Sequence, residues 1–356
     1  MNKGETNRTE RPKTMPQSLL PPPTLKSHVP DMRTGIAARA AALLVFVGVF
    51  QGCGWLVRQG YITYLSVKAR PDDIEIQVNR SFIESYKNRV TIHTTFTVDK
   101  AMGSPLPGVI DGDLHFSGRA PEIALPAVGE IANAASQKAA VDLIHRAEGT
   151  RRPLKISGVW RIWPEHAGSA VQEQGTPLEA YTMSNPEHVF ELHPVTRIKG
   201  LDLLVESFKP VPGFKPGSAN RTFGIYEKAV CTLKVEPKTV SMVTPAGLYN
   251  DVEFIMELAD DRPLIVADGR FVIASAKELD GTLLVPRLRT VFMKGTAPER
   301  AVRLLKRGDK LHVYGVPRLD FAELSRRVRG SGMNPALLSG TLPYEIIILG
   351  VYPDRK

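Results

Sequence analysis

VTIHTTFTV, residues 90–98, places Val90, Ile92, Phe96 and Val98 on one side of an extended chain and His93 among threonines on the other. Such a period of two marks a strand with one face in a core. The neighbouring segments have the same texture. IEIQV (74–78) precedes it, the loop MGSPLPG (102–108) follows, and DGDLHFSG then sets Leu114 and Phe116 on one face with Asp113 and His115 on the other. LPAVGEIAN (125–133), LKISGVWRIW (154–163) and HVFELHPVTRI (188–198) continue the pattern. The apolar spacing of Ala140, Val141, Ile144 and Ala147 predicts a helix over 134–148. Five strands with one helix ahead of the fourth predict a small barrel, with the OB-type arrangement as the leading candidate.

Downstream, FKPVPGFKPGSAN (208–220) has three prolines without backbone donors and two glycines suited to turns, so residues 206–220 read as a linker. A second series then begins: AVCTLKV, DVEFIMELA, PLIVA, RFVIASA and TLLVPRLRTVFM. It continues with a helix from Pro298 to Arg307, KLHVYGV, a helix from Asp320 to Val328, and YEIIILGVY. Each half ends with a helix, an LKISGV or LHVYGV strand, and a closing FELHPV or EIIILGV strand. The two halves therefore read as a diverged repeat. The expected fold is mainly β with a few helices, in two tandem OB-like barrels over 72–205 and 221–356. Neither of the two cysteines can staple it: Cys53 lies in an apolar run, and Cys231 reads as a small buried residue.

The chain before the barrels gives an address. Residues 1–34 contain Pro12, Pro16, Pro21–Pro23 and Pro30 with few large apolar side chains, and read as a disordered cytoplasmic tail. The segment 35–58 contains IAARAAALLVFVGVFQGCGWLV, long enough to cross roughly 30 Å of hydrocarbon. Lys3, Arg8, Arg11, Lys13, Lys26 and Arg33 precede it, while only Arg58, Lys68 and Arg70 follow closely. This bias orients a single-pass inner-membrane anchor with a cytoplasmic N-terminus and an exported bulk. Signal cleavage after the Ala40–Phe50 run and lipid attachment at Cys53 are the alternatives.

Charge is uneven. Twelve basic residues stand against four acidic ones between Arg287 and Arg329. Arg300, Arg303, Lys306, Arg307, Arg326 and Arg327 form a candidate surface for nucleic acid or another anionic polymer. The alternative is that they are solvated helix faces.

Five of the eight histidines, His115, His145, His166, His188 and His193, fall within 79 residues of the first half, among Asp111, Asp113, Glu130, Glu165, Glu187 and Glu191. A closed barrel could bring His115, Glu130, His166 and His193 together as imidazole and carboxylate ligands of a divalent ion. Spacing does not select this over structural hydrogen bonding. HExxH and CxxC are absent, and the interval from His188 to His193 puts them on opposite strand faces. No cofactor is otherwise expected. Trp160 and Trp163, three apart, lie on opposite strand faces: one fills the barrel, and the other reads first as core or inter-domain packing, with an exposed ring able to stack on a base or sugar beside Arg161 as the alternative.

DGDLHF (111–116), GEI (129–131), ISGVWRIWPEH (156–166) and FELHPVTRI (190–198) resemble, in that order, small exported bacterial domains of undetermined function. These share a DGD-apolar-His strand, an EI strand, a TGV strand followed by His, and a closing strand with Glu and HPV. The resemblance covers roughly residues 90–200. It implies a compact OB-like barrel and marks Asp113, His115, Glu130, His166, Glu191, His193 and Pro194, with no activity attached. Ser157 in place of threonine and the insertion between Trp163 and His188 depart from the pattern.

VIDGD (109–113) is also similar to the opening strand of thermonuclease-like OB enzymes. That likeness implies Asp113 as a Ca²⁺ ligand and Glu122 or Glu130 as base, although the RxxGIDxPE-type segment that should follow is absent. No P-loop, dinucleotide-binding or α/β-hydrolase motif occurs. The sequence thus predicts a membrane-anchored, exported binding or assembly module with an envelope protein partner. Polyanion binding through 287–329 and a metal-dependent hydrolase or nuclease in the first barrel are the alternatives.

Overall fold

Burial alternates along β2 (Thr91–Ala101), where Ile92, Phe96 and Val98 turn into a barrel. The computed structural model describes residues 73–108, 110–168, 171–203, 211–330 and 336–353. The expected tail and anchor lie outside them. Among the described residues no helix is long and apolar enough to cross a membrane.

β2 pairs antiparallel with β3 (Leu114–Arg119) on one edge and β5 (Leu154–Ile162) on the other. β3 pairs with β4 (Ala127–Ile131), and β7 (Phe190–Ile198) closes the ring, antiparallel to β5 and parallel to β4. The expected helix is a 3₁₀ turn at Ala134–Ser136 followed by Lys138–Ala147, whose predicted apolar stripe is buried. Barrel two repeats the plan. β11 (Val252–Leu258) pairs with β13 (Gly269–Lys277) and β15 (Lys310–Leu319), and β13 with β14 (Leu283–Met293). β17 (Tyr344–Val351) joins β14 in parallel and β15 antiparallel. Both barrels are closed, with five strands in the order 1-2-3-5-4 and the third and fifth parallel, which is OB connectivity.

A third sheet holds the two together. β1 (Asp73–Asn79) pairs with β10 (Thr239–Pro245), β10 with β9 (Val230–Val235), and β9 with β16 (Ala336–Thr341). β6 (Gln172–Glu173) adds a short parallel edge to β1. AVCTLKV, grouped by sequence with the second barrel, lies here because its Cys231, Leu233 and Val235 face this sheet's core rather than a barrel interior. Cys231 is buried and unpaired, as expected. β8 (Leu201–Asp202) and β12 (Leu264–Val266) only extend hairpins. Two helices were not legible as such: Arg80–Tyr86, and Ala219–Tyr226, which begins in the residues read as linker and ends ahead of the AVCTLKV strand. The helix expected to reach Arg307 stops at Val302. Of the last two helices, Phe321–Gly330 packs against Arg80–Tyr86.

The barrels meet along β5 and β15 through equivalent residues. Val159, Tyr314, Val316, Val291, Phe271 and Ile347 share one apolar cluster between them. Arg161 of barrel one donates through Nε to Pro317 O at 2.8 Å, and Arg318 of barrel two donates through Nη1 to Trp160 O at 3.0 Å. Each arginine lies opposite a glutamate of its own closing strand, Glu191 and Glu345. Each follows a glycine, Gly158 or Gly315, where an added Cβ would meet strand-five atoms closer than 3.0 Å. Arg318 also donates to Arg89 O and Val90 O and lies 3.7 Å over the Trp160 ring. Both tryptophans are therefore interior, as the packing reading expected rather than the exposed one.

Asp320 caps the helix after β15, accepting from Ala322 N and Glu323 N at 2.8 and 3.0 Å. Burial, then the nearby Glu345 charge, raise its carboxyl to about 6 against the opposing pull of Arg289 and the cap hydrogen bonds. Between the unfolded value of 3.8 and about 6 the folded chain keeps a proton that the unfolded chain has lost. This group's contribution therefore falls as pH rises through that window. Asp320→Asn keeps a cap acceptor without the charge. The stability difference between variant and wild type should move in the variant's favour by on the order of 2 kcal/mol from pH 4 to pH 6.5, read by urea denaturation.

Candidate functional site

In an OB barrel the loop after strand one, the loop between strands four and five, and the face of strands two and three lie together. Barrel one places charged residues at each of these positions. Asp111 and Asp113 come from the first loop, His115 from β3, Glu130 from β4, Glu165 and His166 from the start of the second loop, and His193 from β7. They line a cavity of about 380 Å³. Barrel two closes it with Asn250, Asp251, Tyr314 and Val316, and Phe214 of the connecting segment completes the wall.

Asp113, His115, Glu130, His166 and His193 thus meet as the sequence suggested. Glu191, the sixth candidate, touches His193 from behind. The His193 ring donates from Nδ1 to Glu130 Oε2 at 2.6 Å, with Glu191 Oε2 at 3.3 Å. His115 Nε2 lies 3.3 Å from Glu130 Oε1, and Asp113 Oδ1 accepts from Asn133 N at 3.1 Å. Arg161 pairs with Glu191 and, at 3.0 Å, with Glu165, which in turn lies 3.2 Å from His166. His188 was expected on the face opposite His193. It precedes the strand instead, and its Nε2 reaches Glu191 Oε1 at 3.1 Å while its ring stacks on His166.

The charges stabilise one another against burial. Burial alone would raise Glu130, but the His193 and His115 charges bring it down to about 2. Burial would lower His193, yet Glu130 and Glu191 lift it to about 10. Glu191 sits well below the usual carboxylate range because Arg161, and then hydrogen bonds from His188 and His193, outweigh its desolvation. At neutral pH the result is an alternating chain: Glu165, Arg161, Glu191, His193, Glu130. One ring nitrogen of each of two histidines is left over. His115 Nδ1 and His193 Nε2 are buried without a partner, in residues only 8% and 5% exposed. Two groups have ligand atoms close enough to share one ion, Asp113 with Glu130 and His193, and Glu165 with His166 and Glu191.

Other sequence candidates lie elsewhere. His145 donates to Met102 O, and Glu122 accepts from Thr95 N; neither lines the cavity. In the basic segment, Arg303 pairs with Glu299, while Arg326 and Arg327 both pair with Glu323. Arg300 donates to Gly295 O, and Lys306 and Arg307 lie in the turn after Val302. Arg289 and Arg318 are inside, both on Glu345. Sequence reading missed Arg161 as a site residue and missed the whole contribution of barrel two. The equivalent register of WRIW and PRLD was the available signal for Arg161, but Asn250, Asp251 and Tyr314 had none.

Compared with known protein families and with curated proteins, the chain matches none.

Arg161→Met should cost about 3–5 kcal/mol in urea denaturation, since it strands Glu191 in a buried site. Adding Glu191→Gln should recover part of that loss, because the stranded charge goes with it.

Proposed function

We propose that this protein is a binding module whose ligand enters the cavity between the two barrels and carries positive charge. The observation that carries this reading is position. The cavity occupies the place where OB barrels take ligands, and its wall presents Asp111, Asp113, Glu130, Glu165 and Asp251. Fold alone names no ligand, but charge narrows the choice. Among the described lining residues carboxylates outnumber cationic side chains, which favours a cation over phosphate.

A scaffold role agrees with the rest of the chain. The span expected at 35–58 would tether the barrels at the inner membrane with their bulk exported, within reach of an envelope partner. The resemblance of residues 90–200 to small exported domains supports the same address. Polyanion binding at the basic segment gains little, because Arg303, Arg326 and Arg327 already neutralise acidic neighbours. The nuclease alternative loses Glu122 as a base, since that side chain lies away from Asp113 in the cavity wall.

Thermal unfolding of the full chain tests the reading with spermidine, ZnCl₂ and single-stranded DNA as probes. A cation at about 100 times its dissociation constant should raise the midpoint by about 5 °C or more, and less so in Asp111→Asn/Asp251→Asn. No shift with any cation overturns the cavity reading. DNA binding that weakens steeply with salt would transfer the function to the basic segment.

A further inference from the structure

The two barrels supply an internal control for the charged cluster. Register equates residues across the repeat: His115 lies opposite Glu130 on β3 and β4, as Phe271 lies opposite Val291 on β13 and β14. On the closing strands, Leu192 opposite Gly129 and Ile346 opposite Thr290 equate His193 with Ile347. Where barrel two has Phe271, Val291 and Ile347, all in one apolar cluster, barrel one has His115, Glu130 and His193. OB geometry therefore tolerates apolar residues at all three positions. Burying two imidazoles and a carboxylate there costs desolvation that the fold does not require.

The hydrogen bonding says what the polar set is arranged for. His193 Nδ1 hydrogen-bonds to Glu130, which leaves Nε2 as the ring nitrogen that faces a ligand, and a metal ion binding there displaces its proton. That nitrogen is buried and unpartnered in the cavity wall, and so is His115 Nδ1. A carboxylate holding one ring nitrogen while the other stays open is the arrangement that orients a metal-binding imidazole. Ligand atoms of Asp113, Glu130 and His193 all lie within 4.8 Å of one another.

We propose that His193 Nε2 and Asp113 hold one first-row divalent transition-metal ion in the inter-barrel cavity, with Glu130 fixing the His193 ring from Nδ1 and His115 beside it as a further imidazole donor. Mixed nitrogen and oxygen ligands suit Zn²⁺, Co²⁺ or Mn²⁺ better than Ca²⁺, which takes oxygen. The neighbouring group of Glu165, His166 and Glu191 is a poorer site. Its two glutamates already neutralise Arg161, whose fixed charge cannot leave. The proposal rests on the reading of the cavity as the binding centre and goes further by naming its occupant.

Titration of the chelator-stripped full chain with ZnCl₂ and CoCl₂ is decisive. One Zn²⁺ should bind per chain, and Co²⁺ should give visible d–d absorption that Zn²⁺ abolishes. His193→Gln and Asp113→Asn should weaken Zn²⁺ by at least about tenfold, while Glu122→Gln, outside the cavity, leaves it within about threefold. Because a cavity variant can fail to fold, the Co²⁺-loaded wild type provides a second readout: hyperfine-shifted imidazole N–H resonances in its proton NMR spectrum. Absence of stoichiometric binding, unchanged affinity in folded His193→Gln, an equal loss in Glu122→Gln, or no shifted imidazole signal each overturns the ion site. Stabilisation by spermidine with no metal binding would overturn the ion while leaving the cavity reading standing.

Discussion

Everything else in the structure depends on two arginines that have no access to water. Arg161 and Arg318 occupy the same position of equivalent strands and cross the barrel interface in opposite directions, each donating to the backbone that precedes the other. A buried guanidinium needs an anion and several acceptors, because desolvation otherwise exceeds its attraction to one partner. Glu191 and Glu345 supply the anions from equivalent positions, and the carbonyls of Pro317, Trp160, Val90 and Arg89 supply the acceptors. Such pairs add little stability over apolar packing. What they add is geometry: the donors are satisfied only when the barrels dock in one orientation.

That orientation creates the cavity. Tyr314 and Val316 come from the strand that carries Arg318, four and two residues before it, and they form one wall opposite His193 and Glu130. Were the barrels to slide by one strand residue, alternation would replace these side chains with their neighbours on the other face. The third sheet opposes such slippage by pairing β1, ahead of barrel one, with β10, ahead of barrel two. A site built from two barrels thus gets its precision from backbone hydrogen bonds and buried charge, and its chemistry from barrel one.

The barrels themselves were legible because alternation and turn residues act locally. VTIHTTFTV, DGDLHFSG and LKISGVWRIW each declare an interior face within a few residues, and their order predicts the topology. The convergence of Asp113, His115, Glu130 and His193 was legible for the same reason, since strand parity and barrel closure leave few places for them. Legibility failed where a second body covers a face. For Trp160 and Trp163 core or inter-domain packing was expected but no partner could be named, and for Trp160 β15 and the helix Phe321–Gly330 supply it. AVCTLKV failed similarly, for a strand's period does not name its sheet. The basic run from Arg287 to Arg329 looked continuous on paper, but strand pleating sends Arg289 and Arg318 inward and helix spacing puts Arg303, Arg326 and Arg327 next to Glu299 and Glu323.

The repeat also separates what the fold needs from what it merely permits. The arginine and glutamate recur in both barrels for docking, and the close-approach glycine recurs because strands four and five pack closely within each barrel. At His115, Glu130 and His193 the halves diverge, with Phe271, Val291 and Ile347 filling the same positions of barrel two. A cluster demanded by barrel closure or by docking should appear twice, because both barrels close and both dock. This one appears once, in barrel one. Under the proposed cavity reading, the asymmetry gives barrel one the ligand-binding groups and barrel two the part of a fitted wall, aligned by the same buried charges that dock it.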